Sequence, residues 1–327
     1  MSSLTRIEAA RWLLEHDRFV ILSHRRPDGD TIGSSAALCL GLLQLGKTAH
    51  VLKNTEITEK YMHLHAGLNK NCPEPGDILI CVDVASPGLL PENSTRLQNE
   101  IALRIDHHGS GTAFTPLELV DDKAGACGDI IYDLLQEMGV KLDKVLAEAL
   151  YTAVATDTGG FRYANTSAHS YRVAAACAEA GGDLYAINQT VFDTNSLAKL
   201  RLQGWIVENL RLSAGGKVAV CALPLAVEKQ LGVTEDDMEN ISGFSRSIEG
   251  VELAATLRET GDGNVKISVR AVPGYDASRI CELFGGGGHK GAAGATTALS
   301  LEEAAAAVQQ AMETMERENH ERNRNCG

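Results

Sequence analysis

Continuous apolar strands alternating with amphipathic helices constrain this chain more than any other feature of its sequence. The run "RFVILSH" (18–24) is apolar and β-branched; "TIGSSAALCLGLLQLG" (31–46) follows with helical spacing and a glycine, Gly46, placed to end the helix. "TAHVLKN" (48–54), "DILICVDVAS" (77–86) and "IALRIDHH" (101–108) read as three further strands. The helices "GDIIYDLLQEMG", "KVLAEALYTAVATD" and "TSAHSYRVAAACAEAGG" come later. This order predicts an α/β fold with a mostly parallel sheet and helices on both faces. Strands as apolar as "DILICVDV" fit a sheet buried on both sides.

The pattern changes after Asp193. "SLAKLRLQGWIVENLRL" reads as a linking helix, and the strands beyond it are "KVAVCAL", "VELAATLRE" and "NVKISVRAV". The last two are joined through "TGDG", a hairpin signal. "DASRICELF" reads as a helix, "GGGGHKGAAGAT" follows it, and Ser300 with Glu303 forms a capping box for a final helix. The expected division is a first domain over 1–190, a link over 191–213 and a smaller α/β domain over 214–327. Two domains suit a chain of 327 residues.

Chemically useful residues gather at the predicted strand ends of the first domain. They are His24, Asp28 and Asp30 after the first strand, Asp83 in the third, Asp106, His107 and His108 after the fourth, and Asp157 in "VATDTGGF". In open parallel sheets, ligands bind at the carboxyl ends of strands, so these positions are expected to share one rim. An aspartate inside "ILICVDVAS" is costly to bury without a cation or hydrogen bonds. Carboxylates and imidazoles without thiolates suit Mn²⁺ or Mg²⁺, with other divalent metals such as Co²⁺ open. Several carboxylates exceed the needs of one Mg²⁺, and two ions sharing a bridging carboxylate is the economical reading. Such pairs activate a water and clamp an in-line phosphoryl displacement.

Each piece also has an ordinary reading. Asp-Gly-Asp after a strand is commonly a turn. Gly33 stands where a calcium loop places its glycine after Asp28, but Ile32 and Cys39 occupy ligand positions, so that pattern fails. "GGGGHKGAAGAT" follows a helix and lacks the ending of a P-loop. It is either a flexible helix terminator or a place where Gly286, Gly287 and Gly288 let backbone N–H groups approach a phosphate, with His289 adding a donor. Arg270 is either a solvated strand arginine or a fixed fork for phosphate.

Composition narrows the partners. The net charge of −13 argues against long duplex nucleic acid, which calls for a basic face. No apolar run approaches the roughly 20 residues that span a bilayer, and charges interrupt the N-terminal amphipathic segment, so neither a membrane anchor nor a signal peptide is expected. Eight cysteines scattered through apolar stretches suggest reduced, mostly buried thiols in a cytoplasm.

The segments "SHRRPDGDTIGSS", "CVDVAS", "IDHHGS" and "TAVATDTGGF" resemble, in order, the four motifs of the DHH phosphoesterases. "ISVRAV" and "GGGGHKGAAGAT" resemble their DHHA1 domain, and the compact layout is most similar to the nanoRNase/pAp-phosphatase branch. The resemblance implies two metals, usually Mn²⁺. His24, Asp28 and Asp83 would hold one, and Asp30, Asp83, His107 and Asp157 the other, with Asp83 bridging. His108 would face the substrate phosphate, and Asp106 would support the histidines from behind. Arg270 and the Gly-Gly-His element would grip the nucleotide end of the substrate, which puts the expected active site in the interdomain cleft.

The expected activity is hydrolysis of very short oligoribonucleotides and dinucleotides such as pApA or pGpG, together with dephosphorylation of pAp. A hydrolase dedicated to cyclic-dinucleotide breakdown products is the nearest alternative. An inorganic pyrophosphatase and a noncatalytic nucleotide-binding module stand further off. Self-association into a homodimer is left open.

Overall fold

A computed structural model describes residues 2–109, 111–238 and 241–325. Ser110, which ends the third motif, and Cys326, the eighth cysteine, lie outside them. The chain forms two compact units, Met1–Thr194 and Asn195–Gly327.

The first unit contains β1 (Ser2–Ser3), α1 (Arg6–Glu15), β2 (Phe19–Leu22), α2 (Gly29–Gln44), β3 (Ala49–Leu52), β4 (Asn69–Lys70), β5 (Ile78–Val82), β6 (Ile101–Asp106) and β7 (Leu117–Val120). The helices α3 (Cys127–Glu137), α4 (Lys144–Asp157), α5 (Ala168–Glu179) and α6 (Leu184–Asn188) follow. The strands form one sheet in the order β1-β7-β6-β5-β2-β3-β4, with every pair parallel. Successive residues of β2 serve opposite faces. Phe19 and Ile21 join a core built with α1 to α5, while Val20 and Leu22 join Leu79, Cys81, Leu90 and Leu97 on the other face. Coverage of the sheet is therefore asymmetric. Helices pack on the first face, and 3₁₀ turns at Pro87–Leu89 and Glu92–Glu100, together with Phe114, cover the second.

Close helix packing sets where the motif residues sit. A Cβ on Gly33 would lie 2.4 Å from the Ala149 carbonyl oxygen and 2.8 Å from the Ala153 nitrogen, so α2 and α4 touch through backbone at this point. Gly33 is a contact residue between helices, which is the physical reason for a glycine there. His65, at the end of a 3₁₀ turn over Glu59–His65, is packed behind α2. Its Nε2 lies 2.9 Å from Ser35 Oγ and 3.2 Å from the Ile32 carbonyl, and its buried Nδ1 has no hydrogen-bond partner.

The second unit contains α7 (Leu197–Asn209), β8 (Arg211–Ser213), β9 (Val218–Leu223), α8 (Leu225–Leu231), α9 (Ile241–Phe244), β10 (Leu253–Glu259), β11 (Val265–Ala271), α10 (Ala277–Glu282), β12 (Gly287–Gly288), β13 (Ala292–Thr297) and α11 (Leu301–Asn325). Its sheet runs β12-β13-β11-β10-β9-β8, mixed because β9 and β10 are parallel. β10 and β11 pair antiparallel around the "TGDG" turn, where Gly263 takes φ +81°. α10 and α11 cover one face; Leu202 and Ile206 of α7 pack with Cys221, Leu223 and Ile241 on the other. The capping box is present: Ser300 N–H donates to Glu303 and Glu303 N–H to Ser300 Oγ.

Several short elements escape the sequence pattern, four of them for identifiable reasons. β1 and β4 are two-residue edge strands. β7 interrupts its short apolar run with Glu118, and β13 is mostly Ala and Gly, which carry weak strand preference, with its two threonines only at the end. Of the seven described cysteines, all are free thiols and only Cys72 is exposed. Among the described residues no helix is long and apolar enough to cross a membrane.

Two stability measurements follow. Gly33→Ala forces apart the α2–α4 contact and is expected to cost about 1–3 kcal/mol in denaturant unfolding; an unchanged midpoint would contradict the backbone contact. Burial holds the His65 pKa down to about 4 against the smaller effect of the Ile32 carbonyl, whereas an unfolded histidine titrates near ~6.5. The neutral folded imidazole therefore contributes stability that is complete above about 6.5 and is lost as pH falls toward 4. Wild type should lose more stability between pH 7 and pH 5 than His65→Leu; parallel pH profiles would refute this.

Candidate metal centre

The rim at the carboxyl ends of β2, β5 and β6 is organised around Asp83. This residue follows β5 directly, is 3% exposed, and takes φ +58°, a left-handed backbone that aspartate tolerates better than most side chains. Its N–H still donates to the Ile105 carbonyl, so the ladder with β6 continues through it. The two carboxylate oxygens face different neighbours. Oδ2 lies 3.5 Å from His24 Nε2; Oδ1 lies 3.6 Å from His107 Nε2 and 3.5 Å from His108 Nδ1. Oδ1 is buried without a hydrogen-bond partner.

Asp28 and Asp30 sit at the start of α2 with different duties. Asp28 caps the helix, accepting from the N–H groups of Asp30 and Thr31, and its Oδ1 lies 3.6 Å from His24 Nε2. The turn reading of "PDGD" and the rim reading are thus both correct for this residue. Asp30 points inward and is 1% exposed. The N-terminus of α3 grips it: Cys127 N–H donates to Oδ2 at 2.7 Å and Gly128 N–H to Oδ1 at 3.0 Å, while Ser34 Oγ adds a bond of 2.9 Å. A helix N-terminus favours the carboxylate, as its exposed N–H groups demand. Asp157 ends α4; Asn165 Nδ2 donates to its Oδ2 at 3.1 Å. His107 Nε2 lies 3.8 Å from Asp30 and 3.7 Å from Asp157.

The rings are oriented from behind. His24 Nδ1 contacts the Arg25 carbonyl at 2.8 Å and His107 Nδ1 the Ala124 carbonyl at 3.4 Å. Carbonyls only accept, so each Nδ1 donates, and in the neutral ring that a metal requires Nε2 supplies the lone pair, the usual arrangement for a metal-ligating imidazole. His108 differs. Its Nδ1 donates to Asp106 Oδ1 at 2.8 Å, which removes that atom from ligation and leaves Nε2 for another partner.

Three groups of donor atoms lie within 4.8 Å of one another: His24, Asp28 and Asp83; Asp30, His107 and Asp157; and Asp83, His107 and His108, which links the other two through Asp83 and His107. The spacings of 3.5–3.8 Å exceed hydrogen bonds. They are slightly wider than the roughly 3.0–3.4 Å separating two ligands about 2.1 Å from one cation. Electrostatics asks for cations at the same place. Burial first, and then the charges of Asp83, Asp157 and Asp28, raise the Asp30 pKa well above the usual carboxylate range. Burial also raises Asp83 despite the opposing His24 contact, and pushes Asp157 up to about 6 with help from Asp83 and Asp28. Burial pulls His24 down, but Asp28 and Asp83 outweigh it and raise it well above its ordinary value. The orphaned Asp83 oxygen and the excess of carboxylates fit hard divalent cations.

The residues expected in the second domain lie on β11 and in or beside β12. β13 lies between β11 and β12 and brings Ala292 opposite Arg270 and Ala293 opposite Gly288. His289, exposed, closes the tight turn by donating its N–H to the Ala292 carbonyl. The hairpin itself demands two of the glycines. A Cβ on Gly286 would come 2.2 Å from the Gly294 carbonyl oxygen, and Gly288 takes φ +147°. Gly287 faces open space. Sequence reasoning missed the supports of the rim: Ser34, the α3 N–H pair, Asn165, and a buried Arg104 whose guanidinium reaches Asp106 at 2.8 Å. A lone arginine inside "IALRIDHH" was the available signal, since such a residue is buried only when paired.

A metal-binding rim predicts how Asp83→Asn behaves. In chelator at pH 7 the variant should melt at or above wild type, because a neutral isostere removes like-charge crowding. Added Mn²⁺ should raise only the wild-type transition, by about 2.7 kcal/mol at a free concentration 100 times Kd. A wild-type transition that moves with no divalent cation would overturn the assignment.

Comparison with known proteins agrees with this architecture. The DHH family, N-terminal domain matches residues 18–154, and the DHHA1 domain matches residues 215–315. The bifunctional oligoribonuclease and PAP phosphatase NrnA of Thermus thermophilus is 31% identical over 278 residues, covering 84% of this chain and 83% of that protein. The protein of the same name from Bacillus subtilis is 24% identical over 298 residues, covering 88% and 92%. The crystal structure of an exopolyphosphatase-related protein from Bacteroides fragilis superposes with a TM-score of 0.84 at 26% identity, covering 96% of this chain and 97% of that one. With its four motif segments gathered at one sheet rim, a DHHA1 domain later in the chain and a relative matched along most of both chains, this protein belongs to the DHH phosphoesterase family.

Proposed function

We propose that this chain is a Mn²⁺-dependent hydrolase that releases mononucleotides from very short oligoribonucleotides and dinucleotides and removes the 3′-phosphate from pAp. The observation that carries a two-cation phosphoester hydrolysis is the position of Asp83, whose two oxygens face two separate sets of ligand atoms. The substrate class rests on the named activities of the relatives from Thermus thermophilus and Bacillus subtilis.

The roles of the chain's own residues follow from their positions. His24, Asp28 and Asp83 would hold one cation; Asp30, Asp83, His107 and Asp157 would hold the other. Divalent cations so held supply Lewis acidity to the phosphoryl oxygens and lower the pKa of a water. Asp106 holds His108 by Nδ1 and raises its pKa to about 9, so the ring is an imidazolium whose Nε2–H can donate to a phosphoryl or leaving-group oxygen. The α3 N-terminus keeps Asp30 aimed at the rim throughout. Arg270, Gly287 and His289 would anchor the nucleotide end of the substrate. Arg270 offers a planar fork suited to phosphate, and the hairpin of β12 and β13 exposes backbone near it. A net charge of −13 supplies no basic track for a long strand, which favours short substrates.

The test is turnover of pApA, pAp and a twenty-nucleotide RNA with Mn²⁺. Wild type should hydrolyse pApA and pAp and act far more slowly on the long RNA. Asp83→Ala should lose more than the roughly 100-fold that follows loss of a supporting contact. Arg270→Ala should raise KM more than it lowers kcat. Absence of wild-type turnover on pApA and pAp would reject the substrate assignment.

A further inference from the structure

We infer that Arg104 is a positioning residue for the proposed reaction, setting the Asp106 carboxylate and through it the His108 ring. The inference rests on the role given to His108 above, but its structural basis is independent of the cations.

Arg104 lies in the middle of β6, opposite Cys81 of β5 and Glu118 of β7, and is 2% exposed. Alternation along β6 turns Leu103 and Ile105 into the helix-covered core, so Arg104 and Asp106 share the opposite face. One guanidinium then makes three kinds of contact. Nη2 donates to Glu118 Oε2 at 2.9 Å, and Nη1 donates to Asp106 Oδ2 at 2.8 Å. Nη1 also reaches the carbonyls of Val84 and Ala85 at 3.3 and 3.4 Å, the two residues after Asp83. The Phe114 ring covers the guanidinium at 5.5 Å. Glu118 is itself fixed, because its Oε1 accepts from the N–H groups of Phe114 and Thr115.

The division of labour on Asp106 is the central observation. Arg104 occupies Oδ2, and every contact to the motif histidines falls on Oδ1: His107 N–H at 2.8 Å, His108 N–H at 3.3 Å and His108 Nδ1 at 2.8 Å. A carboxylate can rotate about its last bond and exchange its oxygens. With one oxygen pinned by a rigid fork anchored on the next strand, that rotation is blocked and the His108 ring has one orientation. The same fork ties the backbone after Asp83 to the strand that carries the histidines. A chain that needed only stability at this position would do as well with apolar residues, since a buried ion pair rarely adds net stability. Lysine could not substitute, because a single ammonium cannot span Asp106 and Glu118 in one plane.

The experiment uses the full chain with two variants, the double exchange Arg104→Met with Glu118→Leu, which removes that pair together and leaves Asp106 held only through Oδ1, and Arg104→Lys. Five quantities are measured: melting temperature, Mn²⁺ affinity by calorimetry, kcat and KM on pApA, and the His108 Nδ1–H signal by NMR in chelator. The expected result is a folded protein with KM and Mn²⁺ affinity within about twofold of wild type, kcat lower by roughly 10- to 100-fold, and the Nδ1–H signal lost to exchange. A folded variant that keeps wild-type kcat and the Nδ1–H signal overturns the inference. So does a loss of rate explained entirely by KM or by Mn²⁺ affinity. If the double exchange does not fold, Arg104→Lys is judged by the same outcomes. If wild type turns over neither pApA nor pAp, the proposed function fails instead, and the NMR signal in the metal-free variants decides the role of Arg104 alone.

Discussion

Crowding of carboxylates against Asp83 is the constraint on which the rest of the first unit depends. Asp28, Asp30, Asp83 and Asp157 come from two helices and a strand end, and only a folded sheet brings them within reach of one another. Charged groups in such a place raise one another's pKa and are costly without counter-charge. The chain supplies part of the compensation itself. Two helical N–H groups take Asp30, α2 takes Asp28, and three imidazoles stand among the oxygens. The remainder, including the unpartnered oxygen of Asp83, is left for a cation.

That arrangement needs close approach of backbone. α2 carries Asp28 and Asp30 at its start and Gly33 one turn later, where Ala149 and Ala153 of α4 press against it. The same α4 ends in Asp157. Gly128, which donates to Asp30, also has the side chain of Ala153 2.6 Å from where its Cβ would be. Small residues at one three-helix junction therefore set the distance between ligands on α2 and α4. This is a packing origin for precision at a polar site.

Motif chemistry and packing chemistry overlap in the second unit as well. Gly286 and Gly288 are required by the hairpin they build, since any side chain would meet the backbone of β13. A glycine-rich loop that looks like a phosphate cradle is thus first a tight turn, and what it offers a ligand is exposed backbone beside Arg270.

Much of this was legible without coordinates. Continuous apolar strands dictated a parallel sheet buried on both faces, because a solvent-exposed face would show polar alternation. His24, Asp28, Asp30, Asp83, Asp106, His107, His108 and Asp157 stood out because polar residues where strands surface need a reason. The strand "LELV" was hidden because Glu118 breaks its apolar run, and Glu118 makes sense only once Arg104 is seen opposite it on the neighbouring strand. Residue type and order along the chain determined which groups gather at the rim. Which oxygen of Asp83 faces which histidine, which oxygen of Asp106 is left for His108, and which N–H groups hold Asp30 were decided only by tertiary structure. Those pairings join residues up to 98 positions apart, and directed hydrogen bonds depend on angles that no local sequence pattern encodes.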